Sequence, residues 1–281
     1  MHLGIFSFNT DYGTRADDLA RALEERGFES LWVGEHTHIP ASRLSPYPGG
    51  GDLPKPYYHM ADPFVSLTAA ACATKTLKVG TGICLVVEHD PITLAKTVAT
   101  LDMVSGGRFL FGIGGGWNAE EMENHGTPFK RRWKVLRERV EAMKVIWTEE
   151  QASYAGEFVN FDPLISYPKP AQQPHPPVIF GGATEKARER AVRYCDGWIP
   201  IDVLLEDLPD AIADLRAKAE AAGRDPKSVP VSVFAFDAAD EDALMKYREL
   251  EVERVVLVAP RHTPQVMPFL DRFAAMVPKV A

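Results

Sequence analysis

Short apolar runs alternate with helical patterns along most of the chain. Eight of these runs have the length and the β-branched or aromatic content of buried strands. Between them, large apolar residues recur at three- or four-residue spacing, as in Arg131–Trp147, which predicts helices with one buried face. The predicted strands are Leu3–Phe8, Ser30–Gly34, Leu77–Ile83, Phe109–Ile113, Pro177–Phe180, Gly197–Ile201, Val231–Phe234 and Val255–Val258.

Several of the predicted helices also carry recognisable first and last residues. Proline directly after Asp or Thr is typical of a helix start, because the N–H group that proline lacks would have no partner within the first turn. This pattern occurs at Asp62-Pro63, Asp90-Pro91 and Thr263-Pro264. Thr14 with Asp17 predicts a capping box, and Gly27 predicts the end of that helix.

Eight alternating strand–helix units predict a parallel sheet closed into a (β/α)8 TIM barrel, an α/β fold spanning residues 1–281 as one domain. An open, doubly wound sheet is the alternative, but the number of units and the even composition favour the barrel. Two insertions are expected, one after strand 2 and one before strand 5. The first, Ala41–Ala61, is rich in Pro and Gly and has the character of a loop that covers a site. The second, Gln151–Pro176, contains a predicted hairpin that turns at Ala155-Gly156.

Bulk composition restricts the class of partner. The chain has 281 residues, 46% of them hydrophobic and 25% charged, with a formal net charge of −8. This charge disfavours nucleic acid as a partner, and no apolar run is long enough to span a membrane. The N-terminal MHLGIFSF lacks a basic region and reads as a first strand and not as a signal peptide. Three scattered cysteines indicate reduced thiols, so we expect a cytoplasmic protein that acts on a small molecule.

An acid and two imidazoles follow the second predicted strand, at the barrel end where chemistry is expected. Glu35, His36 and His38 offer either acid–base or metal chemistry, since His-x-His is a known metal-ligand spacing. A metal-dependent barrel hydrolase would need further ligands at other strand ends, and no obvious partner pattern supplies them. Acid–base chemistry or cofactor contact is therefore preferred for His36, and an ordinary surface position for His38.

Glycines mark the ends of the third and fourth predicted strands. Gly82 within a strand predicts a bulge or a close approach of backbone. The run Gly114, Gly115, Gly116 leaves room for a planar group, with Trp117 as a wall and Asn118 as a helix cap or hydrogen-bond donor. The plain alternative is a sharp turn beside a buried tryptophan.

The segment Val178–Trp198 predicts a strand, a turn with Gly181 and Gly182, and a helix that opens at Thr184. Backbone N–H groups at such a turn and at the helix N-terminus favour an anion, so the segment suits a phosphate cradle. A tight turn without a ligand fits these residues equally well.

Three stretches together resemble the bacterial luciferase-like monooxygenase superfamily, and within it the actinobacterial oxidoreductases that depend on coenzyme F-420, a deazaflavin. They are SLWVGEHTHIP, KVGTGICLVVEHDPITLAKTVATLDMVSGGRFLFGIGGGWNAEEMENHG and PPVIFGGATEKARERAVRYCDGWIP. The resemblance implies a flavin or deazaflavin ring at the mouth of the barrel. A non-prolyl cis peptide at Gly82-Ile83 would lie behind the ring. The family commonly forms homodimers, so a homodimer is expected.

The resemblance also assigns roles to residues. His36 would exchange a proton and Glu35 would orient it or contact the ring, and these two are the expected catalytic residues. The expected cofactor-binding residues are Gly82, Ile83, Gly114, Gly115, Gly116, Gly181, Gly182, Ala183 and Thr184. The expected substrate pocket is formed by Trp117, Asn118, Tyr57 and Tyr58. The implied reaction is hydride transfer between the deazaflavin and a small organic substrate.

The chain departs from the family pattern in two places. Relatives that oxidise sugar phosphates carry a glutamate proton donor where this chain has Trp117, so that substrate is not expected. No obvious basic cluster serves the acidic tail of the deazaflavin; the candidates are Arg43, Lys55, Lys169 and Arg131. FMN therefore stays open as the cofactor of a monooxygenase that uses dioxygen, and a non-catalytic relative that binds a cofactor or only dimerises stays open as well.

Overall fold

The computed structural model describes residues 1–236 and 240–280, and eight parallel strands dominate it. The barrel strands are β1 (His2–Ser7), β2 (Ser30–Val33), β3 (Lys78–Thr81), β4 (Phe109–Ile113), β7 (Val178–Gly181), β8 (Gly197–Ile199), β9 (Ser232–Ala235) and β10 (Arg254–Val258). Their order in the sheet is β8-β7-β4-β3-β2-β1-β10-β9. The two outer strands meet, since Trp198 N–H donates to Pro230 O at 3.0 Å and Phe234 N–H to Pro200 O at 2.9 Å, so the sheet closes. The predicted (β/α)8 barrel and all eight strands are confirmed.

A long helix follows each barrel strand and packs on the outside of the sheet. These helices are α1 (Ala16–Glu25), α2 (Pro63–Ala73), α3 (Pro91–Ser105), α5 (Arg132–Thr148), α6 (Glu185–Tyr194), α7 (Leu208–Ala221), α8 (Glu241–Glu249) and α9 (Thr263–Ala274). Two short helices, α4 (Ala119–Asn124) and α10 (Val277–Val280), and four 3-10 turns (Lys55–Tyr58, Val86–Glu88, Phe129–Arg131 and Asp202–Leu204) complete the set. The second insertion forms the predicted antiparallel hairpin of β5 (Ala152–Ala155) and β6 (Asn160–Leu164).

Helix starts follow the sequence signals in part. The side chains of Asp62 and Asp90 cap α2 and α3, accepting backbone N–H groups at 2.8 Å in each case. The predicted capping box of α1 is wrong: its N-cap is Arg15, and the hydroxyl of Thr14 is buried and has no hydrogen-bond partner within residues 1–236 and 240–280. Thr263 is the first residue of α9 and not its cap, because the helix begins one position earlier than the Thr-Pro pattern suggests.

The barrel interior is filled mainly by aromatic and branched side chains, and a second apolar layer lies between strands and helices. Trp32 is fully buried and donates its indole N–H to Ser30 Oγ at 2.9 Å. The neighbouring strand makes room with Gly80, where a Cβ would come within 2.8 Å of the indole ring. This packing fills the barrel interior around Trp32. Among the described residues, no helix has the length and apolar character needed to cross a bilayer.

Candidate active site

A buried histidine–carboxylate pair lies at the carboxyl end of β2. His36 Nδ1 is 2.6 Å from Glu121 Oε2, and both side chains are almost fully buried. The other carboxylate oxygen accepts the backbone N–H of Thr37 at 3.0 Å. Glu121 is therefore held as an acceptor, and His36 donates its Nδ1–H to it, which leaves Nε2 as the nitrogen that can exchange a proton.

Glu121 is a candidate functional residue that the sequence patterns did not single out. It lies on α4, where Asn118 is the N-cap and accepts the Glu121 N–H at 3.4 Å. The sequence signal was present as Asn118-x-x-Glu121, the spacing of a capping box. Its carboxylate turns to His36 and Thr37 instead of to the start of its own helix, and local sequence gives no hint of that.

Glu35, predicted beside His36, has other partners. Its carboxylate accepts the Leu85 N–H at 2.5 Å and lies 2.8 Å from His89 Nε2. Burial alone would raise the pKa of Glu35, but the hydrogen bond and charge of His89 outweigh it and lower the pKa. The same contact raises the pKa of His89 in spite of burial. Glu35 and His89 thus form a buried ion pair beside the site, and Glu121 is the carboxylate that contacts His36.

A third acid, Glu88, lies in the same buried region. Burial and the charges of Glu121 and Glu35 raise its pKa to about 9. Its Oε2 has no hydrogen-bond partner among the described residues, and His125 Nε2 lies 3.7 Å from it. Burial lowers the pKa of His125, so this imidazole does not compensate a charge on Glu88 at neutral pH. Glu88 is therefore protonated at pH 7.

The two histidines of the His-x-His motif have separate partners. His38 Nδ1 lies 2.9 Å from Thr37 Oγ1, and its Nε2 lies 2.8 Å from Asn124 Nδ2. Within the described residues, the group with metal-ligand spacing is Glu35, Cys84 and His89, whose ligand atoms lie within 4.8 Å of one another. Their carboxylate and imidazole already form the ion pair described above.

An aromatic wall encloses His36. The His36 ring centroid lies 5.5 Å from that of Tyr57 and 5.6 Å from that of Trp117. Tyr47 contacts both of these rings, with centroids 5.3 Å from Tyr57 and 6.1 Å from Trp117. Burial and the neighbouring Tyr47 hydroxyl raise the pKa of Tyr57, so its phenol stays neutral. Tyr58, in contrast, is 51% exposed.

The loop that carries these tyrosines is attached to α4. Glu120 accepts the backbone N–H groups of Leu44 at 2.7 Å and Ser45 at 3.0 Å, and also bonds to the Ser45 hydroxyl. The hydroxyl bond of Ser45 is the main reason why the pKa of Glu120 falls to about 2. The first insertion is therefore attached over the mouth of the barrel through the Glu120 carboxylate, and one of its aromatic residues, Tyr57, contacts His36.

The peptide Gly82-Ile83 is cis, as the family resemblance implied. It follows β3, and the Gly82 N–H donates to Val33 O at 2.7 Å. The Ile83 side chain covers two of the glycines that are expected to bind the cofactor. A Cβ on Gly114 would lie 2.3 Å from Ile83 Cδ1, and one on Gly181 would lie 3.0 Å from Ile83 Cγ2. Ile83 thus forms a ledge at the centre of the mouth, and these glycines give it room.

The glycines after β4 do not all present open backbone. A Cβ on Gly115 would come within 2.3 Å of the Trp133 ring, so the space left by Gly115 is filled by Trp133. Gly114 and Gly115 are buried, whereas Gly116 is partly exposed and has φ +66°. Asn118 is buried, and its amide Nδ2 has no hydrogen-bond partner among the described residues.

The turn after β7 has the form of an anion cradle. Gly182 has φ +127° and is exposed with Thr184, and Thr184 caps α6 by accepting the Ala187 N–H at 3.2 Å. The remaining N–H groups of the first turn of a helix have no partners within the helix and carry partial positive charge. Ala183 lies between these residues, partly exposed. The predicted residues are thus contiguous and accessible, which suits a phosphate group.

Comparison with known proteins places these features in context. A family model described as luciferase-like monooxygenase matches residues 1–264. An uncharacterized protein of Mycobacterium tuberculosis (strain H37Rv) is 43% identical over 284 residues, 98% of each chain. An FMNH2-dependent dimethylsulfone monooxygenase of Pseudomonas putida is 34% identical over 171 residues, 60% of this chain and 46% of that protein. An F420-dependent hydroxymycolic acid dehydrogenase of M. tuberculosis is 28% identical over 228 residues, 79% of this chain and 58% of that protein.

Solved structures share the fold. A monooxygenase from Streptomyces bottropensis aligns with a TM-score of 0.82 at 21% identity over 100% of both chains. An F420-dependent secondary alcohol dehydrogenase aligns with a TM-score of 0.77 at 20% identity, covering 100% of this chain and 99% of the other. Named relatives thus use either F420 or FMN.

Proposed function

Because the chain belongs to the luciferase-like monooxygenase family, we propose that it is an oxidoreductase that transfers hydride between coenzyme F-420 and a small organic substrate. The coenzyme, when bound, supplies or accepts the hydride. The chain would orient the two reactants, exclude water and manage the proton. The observation that carries this proposal is the buried pair of His36 and Glu121 at the mouth of the barrel.

Reduction of a carbonyl compound needs a proton at oxygen as well as a hydride at carbon. His36 Nε2 is the atom that would give this proton, and it would take it back when an alcohol is oxidised. Glu121 fixes the tautomer through Nδ1 and stabilises the imidazolium form, as the carboxylate does in a hydrolase triad. Tyr57 and Trp117 border the imidazole and keep water from it.

The residues around the mouth fit a cofactor with a planar ring and a phosphate. The exposed turn Gly182–Thr184 and the start of α6 offer free N–H groups to the phosphate. The partly exposed Gly82-Ile83 ledge offers a flat apolar surface for a ring. We assign the phosphate to the first of these and the ring to the second.

A monooxygenase that uses FMN and dioxygen is the second candidate. The observation in its favour is the FMNH2-dependent relative, which is more similar over its aligned part than the F420-dependent dehydrogenase. The cradle does not discriminate between the two cofactors, since both carry a phosphate.

Titration of the purified protein with each cofactor tests the proposal. We expect deazaflavin binding at micromolar levels, followed by turnover with a member of a panel of small ketones and alcohols. The variant His36→Asn should bind the cofactor and lose about 100-fold or more of the turnover. His2→Asn, at the opposite end of the barrel, is the matched control and should keep both properties.

The outcomes separate the candidates. Binding of FMN alone, with oxygen consumption after its reduction, would establish the monooxygenase. Binding of neither cofactor would reject both candidates, and stoichiometric zinc, iron or manganese in the purified protein would then support the hydrolase.

We further propose that the active form is a homodimer, on the strength of the family membership. Light scattering of the purified protein is expected to give twice the chain mass of 31.1 kDa. The mass of a single chain would contradict it.

A further inference from the structure

Helix α6 separates two surface grooves of opposite charge. The groove between α6 and α7, of about 520 Å³, has five acidic side chains and one arginine, Arg188, along its walls. The groove between α5 and α6, of about 340 Å³, has five cationic side chains and one acid, Glu189. The five cations are Lys134, Arg137, Lys186, Arg190 and Arg193. The chain as a whole has a net charge of −8, so this local excess of positive charge stands against the trend.

Three of the five cations in the α5–α6 groove have no counterion among the described residues. Within residues 1–236 and 240–280, no carboxylate pairs with Lys186, Arg190 or Arg193. Arg190 lies over the Trp133 ring at 4.0 Å, and Arg132 lies 4.7 Å from the same ring. Burial and the charge of Arg190 lower the pKa of Arg132, whose Nε is buried and has no acceptor in the described part of the chain. Like charges have thus been gathered around one indole, and an anion in the groove relieves their repulsion.

Trp133 and Lys186 connect the α5–α6 groove to the residues near the mouth of the barrel. Trp133, which lines the groove, fills the space beside Gly115, and its ring centroid lies 6.4 Å from that of Phe180. Phe180 directly precedes the glycine turn, and Lys186 lies two residues after Thr184. Ala183 and Thr184 of the turn line the acidic α6–α7 groove, and the basic α5–α6 groove lies on the other side of the same helix. A chain of carboxylates that leaves the turn is therefore repelled on one side of α6 and attracted on the other.

The spacing of the cations suits an extended acidic chain. Lys186, Arg190 and Arg193 stand at i, i+4 and i+7 on α6, so they share one face of the helix. At 1.5 Å per residue this row extends roughly 10 Å. An extended chain covers about 3.5 Å per residue, so two or three acidic residues match the row.

We propose that the α5–α6 groove binds a chain of carboxylates attached beyond the cofactor phosphate, namely the acidic tail of the deazaflavin. The inference rests on the proposed function, because it needs a deazaflavin at the mouth. FMN ends at its phosphate and leaves the groove unused. The four basic residues singled out from sequence do not form this site: Lys169, for example, donates to Ile146 O and Glu149 O at the far end of α5.

The test compares two probes, the deazaflavin with its glutamate tail and the same phosphorylated deazaflavin without glutamates. Dissociation constants are measured by fluorescence at low and high ionic strength. The wild type should bind the tailed form about tenfold more tightly at low salt, and salt should reduce this advantage. Lys186→Gln/Arg193→Gln should cut the advantage about fivefold to tenfold and leave the affinity for the tail-less form unchanged.

A control pair removes the same charge elsewhere. Arg21→Gln/Lys75→Gln changes two exposed cations near α1 and should alter neither affinity. Equal affinity of the wild type for both probes overturns the inference and leaves the proposed function intact. The same result follows if the groove variant weakens both probes alike, or if the control pair weakens the tailed form as much as the groove variant does. Failure of both probes to bind overturns the inference together with the proposed function.

Discussion

Glu88 gives the sharpest quantitative prediction. Its side chain is 1% exposed and lies near two other acids, which together with burial raise its pKa to about 9 from 4.5 for the free side chain. Replacement by Gln keeps the shape of the protonated side chain and a hydrogen-bond donor, and it removes the group that ionises. We therefore expect Glu88→Gln to be more stable than the wild type at neutral pH.

The size of the effect follows from linkage. Because the folded pKa is raised, the contribution of Glu88 to stability is complete below pH 4.5 and is lost as pH rises toward 9. Each pH unit in this window costs about 1.4 kcal/mol, so at pH 7 the cost is about 3 kcal/mol. Relative to the wild type, Glu88→Gln should gain this amount at pH 7 and less than about 1 kcal/mol at pH 5. At about 2–4 °C per kcal/mol, Tm at pH 7 should rise by roughly 6–12 °C.

Urea unfolding of both proteins at pH 5, 6, 7 and 8 measures this difference. Glu123→Gln, an exposed acid on the neighbouring helix, is the matched control and should show a small change that is nearly constant with pH. A difference between Glu88→Gln and the wild type that does not grow with pH would refute the reasoning, and so would a variant less stable than the wild type at pH 7.

Three further changes have expected outcomes. Glu121→Gln should lower kcat about 100-fold or more and shift the pH profile, since the amide cannot stabilise the His36 imidazolium; unchanged kcat in steady-state assays contradicts this. His89→Ala should lower the free energy of unfolding, measured in urea, by about 3 kcal/mol, because it leaves Glu35 buried and unpaired. This loss should become smaller as pH rises through the raised pKa of His89. Gly115→Ala should cost about 2 kcal/mol and alter Trp133 fluorescence, because the new methyl overlaps that ring; unchanged stability and emission would count against it.

Local patterns in the sequence determined the elements of this protein. Strand runs, Asp-Pro helix starts and the glycine turn after β7 each depend on a few neighbouring residues, so the barrel and the position of the cradle could be predicted. The capping box predicted at Thr14 was wrong because the start of this helix does not depend on local sequence alone. The spacing was right, but Arg15 became the N-cap and Thr14 was buried by packing that local sequence does not encode.

Only the tertiary structure decided which side chains meet. His36 and Glu121 are 85 positions apart. They become partners because β2 and β4, the strands that precede them, end at the same mouth of the barrel. The α5–α6 groove likewise gathers cations that are scattered in sequence, among them Lys134 and Arg190, since the pairing of β4 with β7 sets the helices that follow them side by side. Hydrophobic periodicity fixes which face of an element is buried. The contacts between polar groups at the mouth depend on strand order and register, which are set by the closed barrel as a whole.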